Sequence, residues 1–343
     1  MVILRQVMTG LPEWAETPEG AVNEMNEANN PALLFANQQI EIKGSLDTPV
    51  TGVSYDSRQV APGSIFVCIP GLKADGHDFA AVAVERGASV LVVEHFLELP
   101  VTQVKVQDTR RALGLISAAF LGWPADKLRM IGVTGTNGKT TTTSLIEYMF
   151  NRAGRTTGLI GTLGARIGDA EFPGSRTTPE ASDLQGLLAE MVNRQAGYAV
   201  MEVSSHALDL HRVAGVEYDV AVFTNLTQDH LDFHGNMAEY LAAKAKLFKG
   251  LGREAHKTGK KYAVINLDDS AGPKLAAATQ VKAVTYGVNH AADYRAENIL
   301  NQPTGVEFDA VFPGGTIRLA LKTPGIFTVY NSLAAFAVGI EEG

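Results

Sequence analysis

Residues 130–141 have the sequence Met130-Ile131-Gly132-Val133-Thr134-Gly135-Thr136-Asn137-Gly138-Lys139-Thr140-Thr141. The apolar run from Leu128 to Val133 predicts a short buried strand, and apolar residues at helical spacing from Leu145 to Phe150 predict a helix. A glycine-rich turn ending in Gly-Lys-Thr therefore joins a strand to the start of a helix, which is the context that a phosphate-binding loop requires. Backbone N–H groups in such a turn face an anion, and the helix dipole favours negative charge there.

The loop therefore predicts binding of a nucleoside triphosphate together with Mg²⁺. Lys139 is expected to reach the outer phosphates, and the Thr140 hydroxyl is expected to hold the magnesium ion. The usual pattern places a glycine five residues before the Gly-Lys pair, where this chain has Val133. The predicted ATP-binding residues of the loop are Gly135, Thr136, Asn137, Gly138, Lys139, Thr140 and Thr141.

Composition describes an ordinary globular protein of 343 residues, with 45% apolar and 19% charged residues. This length is typical of two domains. The net charge of −8 argues against nucleic acid as a partner, because few cations are left to neutralise phosphates. The single cysteine, Cys68, lies in an apolar run and is expected to be a buried thiol. We expect a cytoplasmic protein, because no apolar run reaches the ~20 residues of a membrane span and no signal pattern is present. We also expect a monomer.

The order of predicted elements indicates an α/β protein with two domains. Strands and helices alternate between residues 50 and 121, which implies a parallel sheet. Gly122-Trp123-Pro124 then interrupts the pattern, and we place the domain boundary there. We expect a small N-terminal α/β domain at 1–123, with an irregular leader at 16–30, and a P-loop central domain at 124–343. Its mostly parallel sheet is flanked by helices; beyond the loop strand, we predict strands at 157–160, 198–203, 220–223, 262–266 and 281–286, a hairpin at 306–312 and 316–321, and helices at 184–195, 237–248, 272–278 and 330–340.

Polar side chains follow two strands of the predicted central sheet. Glu202 ends an apolar strand, where a carboxylate suits a core badly and suits magnesium well. The alternative is a structural carboxylate whose hydrogen bonds are satisfied. The next strand leads into a loop that carries two histidines and two aspartates, enough for a second metal or acid–base site, although a surface or capping role is as reasonable for each one alone: Asp229, His230, Asp232 and His234.

Lys244 lies in a predicted helix with small alanine neighbours. Taken by itself it indicates a solvated helix face, and its neighbours leave room for a ligand. The turn Thr177-Thr178 and the side chain of Arg212 are candidate anion contacts. Gly158, Gly161 and Gly164 lack the spacing of a dinucleotide fingerprint, so NAD binding is not predicted.

Together these motifs resemble those of the Mur ligase family, and most closely its MurE type, over about residues 50 to 340. The motifs that carry the resemblance occur in the family's order: Asp56-Ser57-Arg58, Asp75-Gly76-His77, Gly135 to Thr141, Thr177-Thr178-Pro179, Glu202 to His206, Asp229-His230-Leu231-Asp232 and Ala243-Lys244. The resemblance implies an ATP-dependent ligase that adds a diamino acid, meso-diaminopimelate or L-lysine, to UDP-N-acetylmuramoyl-L-alanyl-D-glutamate in peptidoglycan synthesis. The reaction it implies passes through an acyl phosphate.

The resemblance also implies roles for single residues. The UDP part of the substrate would be held by Tyr55, Ser57, Leu72, Lys73 and Ala74. The muramoyl-dipeptide would be held by Thr177, Thr178, Ser204 and Arg212, and the adenine end of ATP by Asn331. The magnesium ligands would be Thr140, Glu202, His230 and Lys244, the last as a carbamate formed with carbon dioxide. Lys139, Glu202, His230 and Lys244 would form the catalytic set.

The chain ends at Gly343, where the family's third domain, which selects the incoming amino acid, would follow, so we expect a chain without that domain. Such a chain could be a nucleotide- and UDP-sugar-binding module without ligase activity. Another ligase of similar build, of the folylpolyglutamate or cyanophycin synthetase type, is a further alternative. Asp56-Ser57-Arg58 speaks against it. A phosphoryl-transferring kinase is a more distant one.

Overall fold

The computed structural model describes residues 2–9, 40–71, 74–174, 176–229, 231–253 and 257–343, and of Thr9, Leu231 and Asp232 it describes the backbone only. The predicted leader at 16–30 and the predicted site residues Leu72, Lys73 and His230 lie outside the described residues. The chain forms two compact units. The first comprises Met1–Ala125, Glu180–Ala189 and Leu210–Val216, and the second comprises Asp126–Pro179, Glu190–Asp209 and Glu217–Gly343.

The first unit is built on a sheet whose described strands follow the order β2-β7-β6-β5-β4. Strands β4 to β7 pair in parallel, and β2 is antiparallel to β7. The strands of the unit, which include a separate antiparallel pair of β1 and β3, are β1 (Val2–Ile3), β2 (Glu41–Lys43), β3 (Pro49–Val50), β4 (Gly52–Ser54), β5 (Ser64–Val67), β6 (Val90–Val93) and β7 (Thr102–Lys105). Its helices are α1 (Leu4–Thr9), α2 (Ala80–Glu85) and α3 (Thr109–Phe120), with 3-10 turns at Ser57–Gln59 and Gly76–Phe79.

Strands β5 and β6 are buried at every position, and all their residues except Ser64 are apolar, because both faces of this sheet are covered. Ile65 and Val90 pack in one core cluster with α3, while Phe66 and Leu91 pack in another with α2. Cys68 lies in the second cluster, and burial raises the pKa of its thiol to about 12. The prediction of a buried thiol is confirmed.

The second unit contains a larger sheet, whose described strands follow the order β11-β10-β9-β12-β8-β13-β14-β15-β16-β17-β18. Pairing from β9 across to β16 is parallel, and β10, β11, β17 and β18 add antiparallel strands at the two ends. The strands are β8 (Arg129–Thr134), β9 (Thr157–Gly161), β10 (Gly164–Ile167), β11 (Ala170–Phe172), β12 (Tyr198–Glu202), β13 (Val220–Phe223), β14 (Tyr262–Asn266), β15 (Lys282–Gly287), β16 (Tyr294–Gln302), β17 (Gly305–Phe312) and β18 (Gly315–Leu321).

Helices cover this sheet. Apolar residues of α4 and α10, such as Ile146 and Leu333, are fully buried in one cluster with the strand residues Ile131 and Val222. The helices are α4 (Lys139–Arg152), α5 (Ala181–Asn193), α6 (Ser205–Asp209), α7 (Leu231–His234), α8 (Met237–Gly250), α9 (Gly272–Ala278) and α10 (Ile326–Glu341), with a 3-10 turn at Pro124–Lys127. Helix α5 begins in the first unit and ends in the second. Across the described ranges, none of the helices has the length and apolar character needed to span a bilayer.

The predicted α/β class and the mostly parallel central sheet are confirmed, as are the hairpin and the strand and helix that flank the loop. Strands β10, β11 and β16 were not predicted. Strand β16 has the sequence Tyr-Arg-Ala-Glu-Asn-Ile-Leu-Asn-Gln and is exposed along most of its length, so it lacks the apolar signal of a buried strand. Helix α10 begins at Ile326, four residues before its predicted start at Tyr330.

Parallel pairing brings the carboxyl ends of the central strands to one edge of the sheet. In the register, Glu202 of β12 lies opposite Val133 of β8, and Phe223 of β13 lies opposite Thr134. The glycine-rich loop, which follows β8, therefore lies beside the residues that follow β12 and β13.

Candidate active site

The glycine-rich loop has a backbone that only glycine accommodates at two positions. Gly135 and Gly138 have φ of +151° and +86°, in the region that residues with a Cβ rarely adopt. A Cβ at Gly135 would lie 1.9 Å from Thr224 Oγ1, and one at Gly138 would lie 2.3 Å from Asn331 Oδ1. The backbone therefore passes tightly between its neighbours before α4 begins at Lys139.

Residues after β13 fasten the loop from one side. The N–H groups of Thr136 and Asn137 donate to the backbone oxygen and to Oδ1 of Asn225, at 2.8 and 3.0 Å. Thr224 Oγ1 donates to the carbonyl of Asn137 at 2.7 Å. The loop shape is thus held by the protein before any ligand arrives, which lowers the ordering cost of binding.

Two lysines converge on one carbonyl of the loop. Lys139 Nζ donates to the oxygens of Gly135 and Thr136, at 2.9 and 2.7 Å, and Lys244 Nζ donates to the same Gly135 oxygen at 2.9 Å. Burial lowers the pKa of Lys139, although Glu202 and Asp229 oppose the shift. Burial, and then repulsion from Lys139, lowers the pKa of Lys244 to about 7. The site therefore concentrates positive charge where an anion would neutralise it.

Lys244 is not on a solvated helix face. It is 1% exposed, and its Nζ lies 4.4 Å from the ring centroid of Tyr240, one turn earlier in α8. Tyr240 OH in turn lies 3.2 Å from Thr136 Oγ1. Helix α8 thus brings against the loop an amine that loses its proton near neutral pH.

Replacing Lys244 by methionine is expected to stabilise the fold near neutral pH. With a pKa of about 7 in the folded chain and an ordinary value of 10.5 unfolded, this lysine binds more proton in the unfolded state between those values. Wild-type unfolding free energy should therefore rise with pH across that window, by about 2 kcal/mol between pH 7 and pH 9 relative to the variant. Urea unfolding at both pH values checks this, with Lys249→Met on the exposed side of α8 as control. Parallel pH dependence of wild type and Lys244→Met would contradict it.

Glu202 lies at the end of β12, where two threonines donate hydrogen bonds to its carboxylate. It is 1% exposed and accepts three hydrogen bonds, from Thr140 Oγ1 at 2.9 Å, Thr162 N at 2.9 Å and Thr162 Oγ1 at 3.1 Å. The first residue after the loop lysine thus touches the carboxylate directly. Both interpretations of Glu202 find support here, because its hydrogen bonds are satisfied and it also contacts the predicted magnesium-binding hydroxyl.

The pair Thr177-Thr178 lies beside the same strand end. Thr177 Oγ1 is 3.0 Å from Thr162 Oγ1. Thr178 Oγ1 donates to the Glu202 carbonyl at 2.9 Å and accepts from the Ser204 N–H at 3.1 Å. Three of the residues that the resemblance assigns to the dipeptide are therefore neighbours of Glu202.

The oxygen donors around Glu202 suit a magnesium ion, because Mg²⁺ prefers hard carboxylate and hydroxyl oxygens and keeps several waters. Glu202 Oε1 and Thr140 Oγ1, already 2.9 Å apart, are such a pair. Within the described ranges no group of three or more His, Cys, Asp and Glu side chains is arranged as a metal site, and His230 lies outside those ranges. The residues present fit a magnesium held chiefly by phosphate and water.

The loop after β13 supplies charge and an interior histidine. The charge of Asp229 opposes the lowering of the pKa of both Lys139 and Lys244 that burial causes. His234 is 3% exposed, with Nε2 2.8 Å from Ser205 Oγ and Nδ1 3.2 Å from Asp209 Oδ2, and its ring stacks on Tyr240. His234 is therefore a buried support for α8, not a surface or capping residue.

A further acidic residue, Asp268, lies just after the end of β14. Burial alone raises the pKa of Asp268, but hydrogen bonds from Tyr330 and from the 288–290 turn outweigh it and bring the pKa to about 2. Tyr330 OH donates to Asp268 Oδ2 at 2.7 Å. Asn331, predicted at the adenine end, lies against Gly138 of the loop.

The predicted UDP-binding residues that the structure describes, Tyr55, Ser57 and Ala74, lie in the first unit. Tyr55 OH donates to Asp183 Oδ2 at 3.0 Å, and Asp56, just before Ser57, forms an ion pair with Arg58 at 2.7 Å. Ala74 lies in the turn that is closed by its carbonyl accepting from the Gly71 N–H at 2.9 Å. Arg212, assigned to the dipeptide, also belongs to this unit and pairs with Glu180 at 3.0 Å.

Comparisons with known proteins agree with the motifs. The chain matches a family model described as Mur ligase middle domain over residues 133–339, and one described as Mur ligase family, catalytic domain over residues 49–121. It is similar to the UDP-N-acetylmuramoyl-L-alanyl-D-glutamate–2,6-diaminopimelate ligases of Bacillus licheniformis (46% identity, covering 87% of this chain and 61% of the relative) and Geobacillus thermodenitrificans (48%, covering 86% and 60%).

The solved structure of a UDP-N-acetylmuramoyl-L-alanyl-D-glutamate–2,6-diaminopimelate ligase superimposes on this chain with a TM-score of 0.78 at 32% identity, covering 88% of this chain and 62% of that one. The chain therefore spans about three fifths of the length of the relatives that it matches.

Proposed function

Because the chain belongs to the Mur ligase family, we propose that it carries the substrate- and ATP-binding machinery of an ATP-dependent amide ligase. The ligase would add a diamino acid, meso-diaminopimelate or L-lysine, to UDP-N-acetylmuramoyl-L-alanyl-D-glutamate in peptidoglycan synthesis. The observation that carries the proposal is the contact of Thr140 with Glu202 beside a loop on which Lys139 and Lys244 converge. Similarity to two diaminopimelate ligases at 46–48% identity favours diaminopimelate as the added amino acid.

In the proposed reaction the D-glutamate carboxylate of the substrate attacks the γ-phosphate of ATP, giving an acyl phosphate and ADP. The amine of the diamino acid then displaces phosphate and forms the amide. Phosphoryl transfer needs positioning and neutralisation of charge more than covalent help from the protein. The loop amides and Lys139 would bind and orient the phosphates. Lys139 Nζ would exchange its hydrogen bonds to the loop carbonyls for hydrogen bonds to phosphate oxygens. A magnesium ion bound at Thr140 and Glu202, with His230, would supply further neutralisation.

Lys244 is proposed to react with carbon dioxide and form a carbamate, because the uncharged amine is the reactive form and its pKa of about 7 keeps much of it uncharged. Addition of carbon dioxide to the uncharged amine forms the carbon–nitrogen bond, releases one proton and leaves an anion. Counted from the ammonium cation, two protons are released. That anion would complete the magnesium ligands. It would also relieve the repulsion between Lys244 and Lys139.

In this proposal the domain of residues 1–123 holds the UDP part of the substrate through Tyr55, Ser57, Leu72, Lys73 and Ala74, and the domain of residues 124–343 binds ATP. The dipeptide is held by Thr177, Thr178, Ser204 and Arg212, and the adenine end of ATP is held by Asn331 of α10. We also propose that the protein acts in the cytoplasm, where ATP is available, as a monomer and without nucleic acid.

Calorimetric titration with UDP-N-acetylmuramoyl-L-alanyl-D-glutamate tests the proposed substrate. We expect saturable binding, and we expect Ser57→Ala to weaken it, while Ser89→Ala, in the same unit but outside the predicted site, should bind like wild type. Absence of binding heat with this ligand, together with binding of a folate polyglutamate, would favour a ligase of the folylpolyglutamate type.

A binding module without ligase activity is the alternative from another functional class. Turnover distinguishes it from the ligase. Phosphate release from ATP that depends on both the UDP-dipeptide and the diamino acid supports the ligase. Binding of both ATP and the UDP-dipeptide without any cleavage of ATP, with or without a supplied amino-acid-binding domain of a relative, supports the binding module.

A further inference from the structure

Thr162, in the turn after β9, connects Glu202 to Thr177. Its backbone N–H donates to Glu202 Oε1 at 2.9 Å and its hydroxyl donates to Glu202 Oε2 at 3.1 Å. The same hydroxyl oxygen lies 3.0 Å from Thr177 Oγ1. One exposed threonine therefore touches both oxygens of a buried carboxylate and the hydroxyl of the next threonine.

The chain is built for this contact. A Cβ at Gly161 would lie 2.3 Å from Glu202 Oε1, so the strand end approaches the carboxylate more closely than any residue with a side chain would allow. This approach aims the Thr162 N–H at the carboxylate. It leaves the hydroxyl on the side that faces Thr177.

The direction of the hydrogen bonds that join Thr177, Thr162 and Glu202 follows from the number of protons available. A threonine hydroxyl has one proton to donate, and a carboxylate only accepts. A hydrogen bond to a charged acceptor is stronger than one to a neutral hydroxyl, so the Thr162 proton is directed at Glu202. Thr177 must then donate its own proton to Thr162. Towards a ligand, Thr177 presents only lone pairs in this state.

We propose that Thr162 is a positioning residue that couples two events. One is the binding of a divalent cation to Glu202, and the other is a change in the direction in which the Thr177 hydroxyl donates its proton. A cation on Glu202 withdraws the carboxylate from Thr162, whose proton then turns to Thr177. Thr177 is thereby released to donate its proton outward, to a carboxylate of the bound peptide. The inference rests on the proposed function, because it takes Glu202 as a cation ligand and Thr177 as a peptide contact.

Two consequences follow from this coupling. A cation at Glu202 increases the affinity for a peptide carboxylate, and by thermodynamic reciprocity the peptide increases the affinity for the cation by the same factor. Substrate loading and metal loading thus favour each other before any bond is made. The hydroxyl of Thr162 is required for this coupling, and its methyl group is not.

Calorimetry tests the coupling without turnover. The affinity for UDP-N-acetylmuramoyl-L-alanyl-D-glutamate is measured with a non-hydrolysable ATP analogue, once with Mg²⁺ and once with a chelator. The ratio of the two dissociation constants is the coupling factor. We expect about fivefold or more in wild type, a factor near one in Thr162→Val, and a factor close to wild type in Thr162→Ser, which keeps the hydroxyl.

Thr285→Val is the matched control. Thr285 also donates both its N–H and its hydroxyl to one carboxylate, that of Asp293, at 2.8 and 2.7 Å, but outside the site. This variant should keep the wild-type coupling factor. Circular dichroism verifies folding of each variant.

The inference is overturned if Thr162→Val keeps the wild-type factor, or if wild type shows no coupling although it binds the ligand. It is also overturned if Thr162→Ser loses the coupling while folded. Failure of the proposed function has a different signature, since wild type then binds no UDP-dipeptide under either condition.

Discussion

Replacing Lys139 by alanine is expected to reduce ATP cleavage by about 10²–10³-fold, which is the usual cost of removing one preorganised donor from a charged transition state. In the free protein Lys139 Nζ binds the carbonyls of Gly135 and Thr136, at 2.9 and 2.7 Å, directly at the loop. Its ammonium thus lies against the loop that is proposed to bind the phosphates. The measurement is ADP formed in the presence of the UDP-dipeptide and diaminopimelate.

The variant should remain folded, because Thr224 and Asn225 hold the loop by contacts that do not involve this lysine. Lys274→Ala, an exposed lysine on α9, is the control and should cleave ATP like wild type. Undiminished ADP formation by folded Lys139→Ala would show that the loop does not bind the phosphates in the proposed way.

Replacing Glu202 by glutamine is expected to lower turnover at least about 100-fold and to raise the magnesium concentration needed for half-maximal activity. The exchange conserves shape but removes the charge that faces Thr140, and hard cations bind an amide oxygen less well than a carboxylate. Glu202 is 1% exposed, so the exchange removes a buried charge. Titrating magnesium against activity, beside urea unfolding, separates a lost ligand from a lost fold.

Glu147→Gln is the matched control for this change. Glu147 is also a buried glutamate of the second unit, but it pairs with Arg166 at 3.0 Å, and not with the loop. We expect it to lose some stability and to keep the wild-type magnesium dependence. If Glu202→Gln also keeps that dependence, Glu202 is a structural carboxylate.

The loop and its immediate neighbours could be predicted from the sequence because their signals are local. Glycines, the lysine and the first threonine follow one another in the chain, and an apolar strand and a helix flank them. Glu202 was found for a similar reason, since a carboxylate at the end of an apolar strand departs from the pattern of a core. In a parallel sheet such strand ends meet at one edge.

Other features depend on contacts between distant residues and leave no local signal. Lys244 occupies a helix position like that of any surface lysine, and only its packing against Tyr240 and Gly135 shows that it is buried. Thr162 follows a plain apolar strand, and its role emerges only when β9 and β12 pair. The polar strand β16 was missed because it is paired in the sheet but largely exposed.

Positional isotope exchange in ATP tests most directly whether an acyl phosphate forms at this loop. ATP labelled with ¹⁸O in the bridge between its β- and γ-phosphates is incubated with the protein, Mg²⁺ and UDP-N-acetylmuramoyl-L-alanyl-D-glutamate, without amino acid. Reversible transfer of the γ-phosphoryl group lets the β-phosphate rotate, so we predict movement of label out of the bridge. The movement should depend on the UDP-dipeptide and disappear in Lys139→Ala. Label that stays in the bridge, while calorimetry shows both ligands bound, would contradict the account.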